Sequence, residues 1–204
     1  LLLPFHRFSF FFSFSVPRCS FITPPPPCTG EYTLAEHTAL EGCGEEEFLV
    51  KHLQYAIGVG HYAAGYLKKE HLQVALHMAP ANGLLLEFGV ANGITANWLM
   101  GFDEFKTKRL AYHGFDSFKG LPTAFSAAYP AGTFARPTPP PLPASAKLHV
   151  GWFQDTLPGF LAANPTPISF VHNDQDLYGP TKYVQGTLAC TCRFQKGTIV
   201  AFDE

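Results

Sequence analysis

Leu84-Leu85-Leu86-Glu87-Phe88-Gly89-Val90-Ala91-Asn92-Gly93 is the stretch whose reading decides the fold. An apolar run closes on an acid, a glycine-punctuated turn follows, and residues 94–100 read as the first turns of a helix. A buried parallel strand, a tight turn and a helix N-terminus in that order build a receptacle for the polar end of a nucleotide-like ligand. The competing reading is a strand-to-helix turn that holds nothing.

Working outward, the same alternation recurs along the chain. Residues 45–76 carry apolar positions at helical spacing (Phe48, Leu49, Leu53, Ala56, then Tyr62, Tyr66, Leu72 and Leu76), which predicts one helix before Gly58-Val59-Gly60 and another after it. Strands are predicted at 84–88, 110–115, 147–150, 168–172 and 198–202, with helices at 95–102, 156–163 and 182–189 between them. Pro158 falls in the first turn of its predicted helix, where proline is tolerated. The proline-rich segment 132–145 reads as an irregular surface insertion that joins no sheet. Alternating strands and helices predict an α/β, Rossmann-like, doubly wound and mostly parallel sheet with flanking helices. Each predicted strand end carries polar chemistry: Glu87, Asp116, Gln154-Asp155, Asp174 and Asp203-Glu204. Ligands of such sheets sit at the carboxyl ends of strands, so these groups are expected to converge.

Composition sets the outer bounds. A chain of 204 residues can bury one sizeable core, and 47% hydrophobic with 15% charged residues is globular. A net charge of -2 lacks the basic field of a nucleic-acid binder, and no run is long enough to span a bilayer as a helix. The five cysteines (Cys19, Cys28, Cys43, Cys190, Cys192) fit free thiols in a reducing compartment better than a disulfide framework or a zinc site. Residues 1–44 read as a proline-rich, poorly ordered leader ahead of a domain at 45–204. Arg7 and Arg18, with no acid before Glu31, leave a targeting presequence as the other reading, cytoplasmic and organellar locations following accordingly. The final predicted strand is followed by no others, so the C-terminal strands that usually complete such a sheet are expected to be missing. The fifth strand is expected to leave an open edge.

Three constellations carry chemistry. The turn at Gly89–Gly93 does not match the dinucleotide pattern G-x-G-x-x-G, and a pyrophosphate needs close backbone approach at more points than two glycines offer. S-adenosylmethionine has no phosphate, and a looser acid-x-Gly-x-x-x-Gly turn can wrap its amino-acid end. Asp116, closing the second strand, is placed to accept hydrogen bonds from both hydroxyls of a ribose, a turn cap being the alternative. In His172-Asn173-Asp174-Gln175-Asp176-Leu177-Tyr178 two carboxylates stand two residues apart just past a strand, which suits a hard cation, with Asp203-Glu204 at the neighbouring strand end offering further oxygens. An isolated Asp-x-Asp is more often a solvated loop. His172 and His113 read as partly buried strand residues rather than bases.

Five segments in order resemble the macrocin O-methyltransferase family. They are Glu87-Phe88-Gly89-Val90 with Gly93, Phe115-Asp116-Ser117-Phe118-Lys119-Gly120-Leu121-Pro122, Gly151-Trp152-Phe153-Gln154-Asp155-Thr156-Leu157-Pro158, Asp174-Gln175-Asp176-Leu177-Tyr178 and Gly197-Thr198-Ile199-Val200-Ala201-Phe202-Asp203-Glu204. Members are class I S-adenosylmethionine-dependent enzymes that methylate sugar hydroxyls of macrolides. The resemblance implies that Glu87, Gly89 and Gly93 hold the methionine end of the cofactor and Asp116 its ribose, with Ser117, Gln154 and Asp155 near the adenine. It further implies a magnesium site at Asp174, Asp203 and Glu204, with Asp174 the candidate catalytic base. The chain departs from the family at Glu204, where aspartate is common, and at Asn173 and Gln175, where small or apolar residues are usual.

The function expected from the sequence is therefore O-methylation of a hydroxyl on a sugar or other small-molecule acceptor, assisted by magnesium. A non-catalytic S-adenosylmethionine-binding relative and a nicotinamide-dependent oxidoreductase are the alternatives. No nucleic-acid or membrane partner is expected.

Overall fold

The computed structural model describes residues 9–14, 53–59, 66–191 and 193–203. Their elements run β1 (Ser9–Phe14), β2 (Leu53–Val59), α1 (Tyr66–Met78), β3 (Leu84–Phe88), α2 (Ile94–Gly101), α3 (Asp103–Thr107), β4 (Ala111–Asp116), β5 (Lys147–Val150), α4 (Phe153–Ala163), β6 (Ile168–Asn173), α5 (Tyr178–Cys190) and β7 (Phe194–Phe202). One seven-stranded sheet has the order β2-β1-β7-β6-β3-β4-β5. The five strands from β7 to β5 are parallel, whereas β1 runs antiparallel to both β7 and β2.

The continuous apolar run Leu84-Leu85-Leu86 explains why β3 is central: every residue of the strand is buried, as expected for a parallel strand covered on both faces. Alternate residues divide between two cores. Leu85, Tyr112, Phe170, Ile199 and Ala201 pack with Leu72 and Leu76 of α1 and Ala96 and Leu99 of α2. Leu84, Leu86, Phe115, Val171 and Val200 pack with Leu157 and Phe160 of α4 and Val184 and Leu188 of α5. Helices on both faces make the sheet doubly wound, and its strand order reverses between β3 and β6. Ligands of open α/β sheets bind outside the carboxyl ends of the strands at such a switch point.

Several expectations are corrected. The helix predicted before Gly58 is replaced by strand β2, Leu53–Val59, and the helix predicted after Gly60 is α1, beginning at Tyr66. Part of the predicted poorly ordered leader forms β1, whose residues Phe10 to Ser13 pair with Phe202 to Ile199. The far edge of β7, expected to be open, is therefore paired. Helix α4 starts at Phe153, three residues before its predicted start, so Gln154 and Asp155 stand in its first helical turn instead of a preceding loop. Helix α5 starts at Tyr178 and strand β7 at Phe194, each four residues earlier than predicted. The proline-rich segment 132–145 contributes no strand, and its Leu142 packs on the core beside α2. Cys19, Cys28, Cys43, Cys192 and Glu204 lie outside the described residues.

Candidate active site

Parallel register places Glu87 beside Gly114 of β4 on one side and His172 of β6 on the other, and His172 in turn beside Ala201 of β7. Side chains two residues apart share a face of a strand. Asp116, Asp174 and Asp203 each lie two residues beyond those positions. The acids read at separate strand ends are thereby gathered at one end of the sheet.

The turn after β3 is held from two sides. Gly89 has φ of +91°, and a Cβ there would stand 1.9 Å from the carbonyl oxygen of Asp174. Only glycine lets the ends of β3 and β6 meet this closely. Asp174 N–H donates to Phe88 O at 2.9 Å, Gly89 N–H to Phe115 O at 3.0 Å and Asp203 N–H to Asn173 O at 3.0 Å, so four strand ends are knitted by backbone bonds.

Asp116 supplies the second hold. Its Oδ2 accepts the amides of Val90 at 2.9 Å and Ala91 at 2.8 Å, and its Oδ1 accepts the amide of Phe118 at 2.7 Å. Charge-assisted bonds of this kind are about twice as strong as neutral ones. Gly93 caps α2 in a left-handed conformation, and the amide of Ile94 donates to Asn92 Oδ1 at 3.2 Å. The amides of Gly89, Val90, Ala91, Gly93 and Ile94, which a phosphate-cradling turn would point at its anion, are thus engaged, two of them by a carboxylate.

Below the turn lies a buried polar chain. Tyr112 donates its hydroxyl to Glu87 Oε2, and His172 Nδ1 lies 3.2 Å from Glu87 Oε1. Glu87 and His172 are wholly inaccessible to solvent. Burial and the Glu87 carboxylate push the Tyr112 phenol far up, so it remains a donor. Gly114 makes the arrangement possible, because a Cβ there would lie 2.7 Å from the Tyr112 hydroxyl. His172 Nε2 is buried without a hydrogen-bond partner, which costs about 1–3 kcal/mol in an unliganded protein.

A ring nitrogen of His172 and one carboxylate oxygen each of Asp174 and Asp203 lie within 4.8 Å of one another. His172 and Asp203 are buried, whereas Asp174 is half-buried and opens the cluster to the outside. The donor set fits a divalent cation: two carboxylate oxygens beside a ring nitrogen of a buried histidine. Of the acids expected to hold magnesium, Asp174 and Asp203 are brought together and Glu204 falls outside the described residues.

The residues that depart from the family pattern have a structural role. Asn173 Oδ1 accepts Gln175 Nε2 at 3.1 Å and Gln185 Nε2 at 2.8 Å, and Gln175 Oε1 accepts the hydroxyl of Thr181 at 3.2 Å. This buried amide network ties the loop bearing Asp174 to α5. Ser117 caps its own turn, accepting the Lys119 amide at 3.1 Å, and Gln154 and Asp155 are exposed at the start of α4. The sequence reading assigned no role to His172, Tyr112 or Gly114; period-2 alternation from Glu87, Asp116 and Asp174 along three predicted strands could have found them. His113 lies on the opposite sheet face, its Nδ1 2.9 Å from His149 Nε2 and its ring against Phe160. Burial, then His149 and Lys147, lower His113 to about 4, and burial lowers His149 as well.

No protein-family model and no curated protein sequence matches the chain. Among solved structures it is similar to CalS11, a calicheamicin methyltransferase, with a TM-score of 0.57 at 22% identity over 91% of this chain and 84% of that one. The fold is Rossmann-like, shared with that methyltransferase. The O-methyltransferase NovP is a looser neighbour, with a TM-score of 0.47 at 19% identity over 69% of this chain and 65% of that one, and nothing rests on it. No described helix is long and apolar enough to cross a membrane.

Proposed function

We propose that the chain is an S-adenosylmethionine-dependent O-methyltransferase acting on a hydroxyl of a small-molecule acceptor such as a sugar. The observation that carries this reading is the engagement of the Val90 and Ala91 amides by Asp116. A pyrophosphate would meet a carboxylate where it needs free N–H groups, so a dinucleotide is disfavoured by both geometry and charge. A cationic ligand without phosphate meets no such conflict, and the switch-point crevice of this fold is where it would lie.

Bound S-adenosylmethionine supplies the electrophilic methyl group, and a divalent ion would lower the pKa of a coordinated hydroxyl. The turn from Gly89 to Gly93 would enclose the methionine end, above Glu87. Asp116 sets the shape of that turn and keeps lone-pair capacity for a ribose hydroxyl. Ser117, Gln154 and Asp155 would border the adenine. Asp174, Asp203 and Glu204 would hold the cation, and Asp174, the half-buried member, would take the proton from the acceptor hydroxyl as its oxygen bonds to the methyl carbon and the carbon–sulfur bond breaks. Positioning of the two reactants supplies much of the acceleration.

Transfer of a labelled methyl group to a panel of sugars and phenols tests the reading. Asp174→Asn is expected to lower turnover at least a hundredfold while S-adenosylhomocysteine still binds. Tight cofactor binding with no transfer to any acceptor would instead favour a non-catalytic relative of the fold.

A further inference from the structure

His172 carries an observation that an all-oxygen cation site leaves without use. Its Nδ1 faces Glu87 Oε1 at 3.2 Å, and its Nε2 is buried with no hydrogen-bond partner. A carboxylate only accepts, so the neutral ring that keeps this contact carries its proton on Nδ1 and offers the lone pair of Nε2. The same side chain lies in the cluster whose ligand atoms, with those of Asp174 and Asp203, fall within 4.8 Å of one another. With Nδ1 held by Glu87, Nε2 is the nitrogen left to ligate.

We propose that His172 Nε2 is a metal ligand, making with Asp174 and Asp203 a mixed nitrogen–oxygen site that prefers a transition-metal ion of the manganese or cobalt class over magnesium. The proposal rests on the reading of Asp174 and Asp203 as a cation site. Imidazole nitrogen suits first-row transition ions, whereas magnesium favours oxygen donors and gives up its waters reluctantly. The surroundings are those of a ligating histidine: a carboxylate fixes the tautomer and ring orientation, and Tyr112 in turn holds that carboxylate.

The test uses the full chain, stripped with a chelator and titrated with manganese chloride alone, read by electron spin-echo envelope modulation. Bound manganese is expected to show modulation from a directly coordinated nitrogen and to resist displacement by a hundredfold excess of magnesium. His172→Gln should remove the modulation and weaken manganese binding at least tenfold. Asp203→Asn should abolish the same signal while leaving every histidine in place, which keeps the test decisive should His172→Gln fail to fold. Manganese bound without nitrogen coupling, or with equal affinity in folded His172→Gln, would overturn the proposal. So would the absence of any bound manganese. S-adenosylhomocysteine binding in the same samples separates the two readings: its presence without nitrogen coupling rejects the ligand role of His172 alone, and its absence rejects methyl transfer instead.

Discussion

Both oxygens of Asp116 are turned toward backbone amides, at Val90, Ala91 and Phe118. Its first duty is therefore to shape the turn, and any contribution to a ribose depends on that. Asp116→Ala would leave three amides without their acceptor and is expected to weaken S-adenosylhomocysteine binding by about tenfold or more, corresponding to about 1.5–3 kcal/mol for one charge-assisted bond. Titration calorimetry on wild type and variant checks this. Tyr112→Phe removes the hydroxyl that donates to Glu87, a wholly buried carboxylate, and should lower stability by about 1–3 kcal/mol in urea denaturation. His113 and His149 are lowered by burial, so the unfolded chain takes up protons that the folded chain refuses. Stability should be insensitive to this pair above about pH 6.5 and fall as pH drops from there toward 4. His113→Leu should flatten the decline between pH 6.5 and 5, as followed by urea midpoints.

At the scale of elements, the parallel strands were legible because both their faces are buried: Leu84-Leu85-Leu86 and Ile168-Ser169-Phe170-Val171 read as continuous runs bounded by polar turns. Strand β2 was misread because Leu53 and Ala56 extend a helical spacing begun at Phe48, although Leu53, Tyr55, Ile57 and Val59 also alternate with period two. Choosing between those periods needs the partner strand, and pairing with β1 is a long-range fact. Helix α4 is predicted too short because residues 151–155 read as a turn and Pro158 suits a first turn, yet the helix starts at Phe153 and Pro158 is its sixth residue. At the site, carboxylates at strand ends announced themselves, whereas His172 did not: alternation from Asp174 puts it on the same face, but its burial against Glu87 is set across strands and not by its own segment. Gly89→Ala is the matching test, since its Cβ would strike the Asp174 carbonyl. A strained left-handed alanine and displaced strand ends should cost at least about 2 kcal/mol. The variant should also lose S-adenosylhomocysteine binding, the two effects being read by denaturation and calorimetry.

Across the whole molecule, the doubly wound arrangement converts separate local motifs into one site. The reversal of strand order between β3 and β6 sets the glycine turn beside the Asp174 loop, and β7 brings Asp203 next to it. The likeness to CalS11 concerns this scaffold, at 22% identity, and the chemistry is argued from the side chains the scaffold assembles. The central claim is that the turn takes a phosphate-free cofactor and not a dinucleotide. Isothermal titration of the folded full-length chain with S-adenosylhomocysteine and, separately, with NAD tests it most directly. The account predicts saturable binding of S-adenosylhomocysteine and none of NAD; saturable NAD binding with no response to S-adenosylhomocysteine would contradict it.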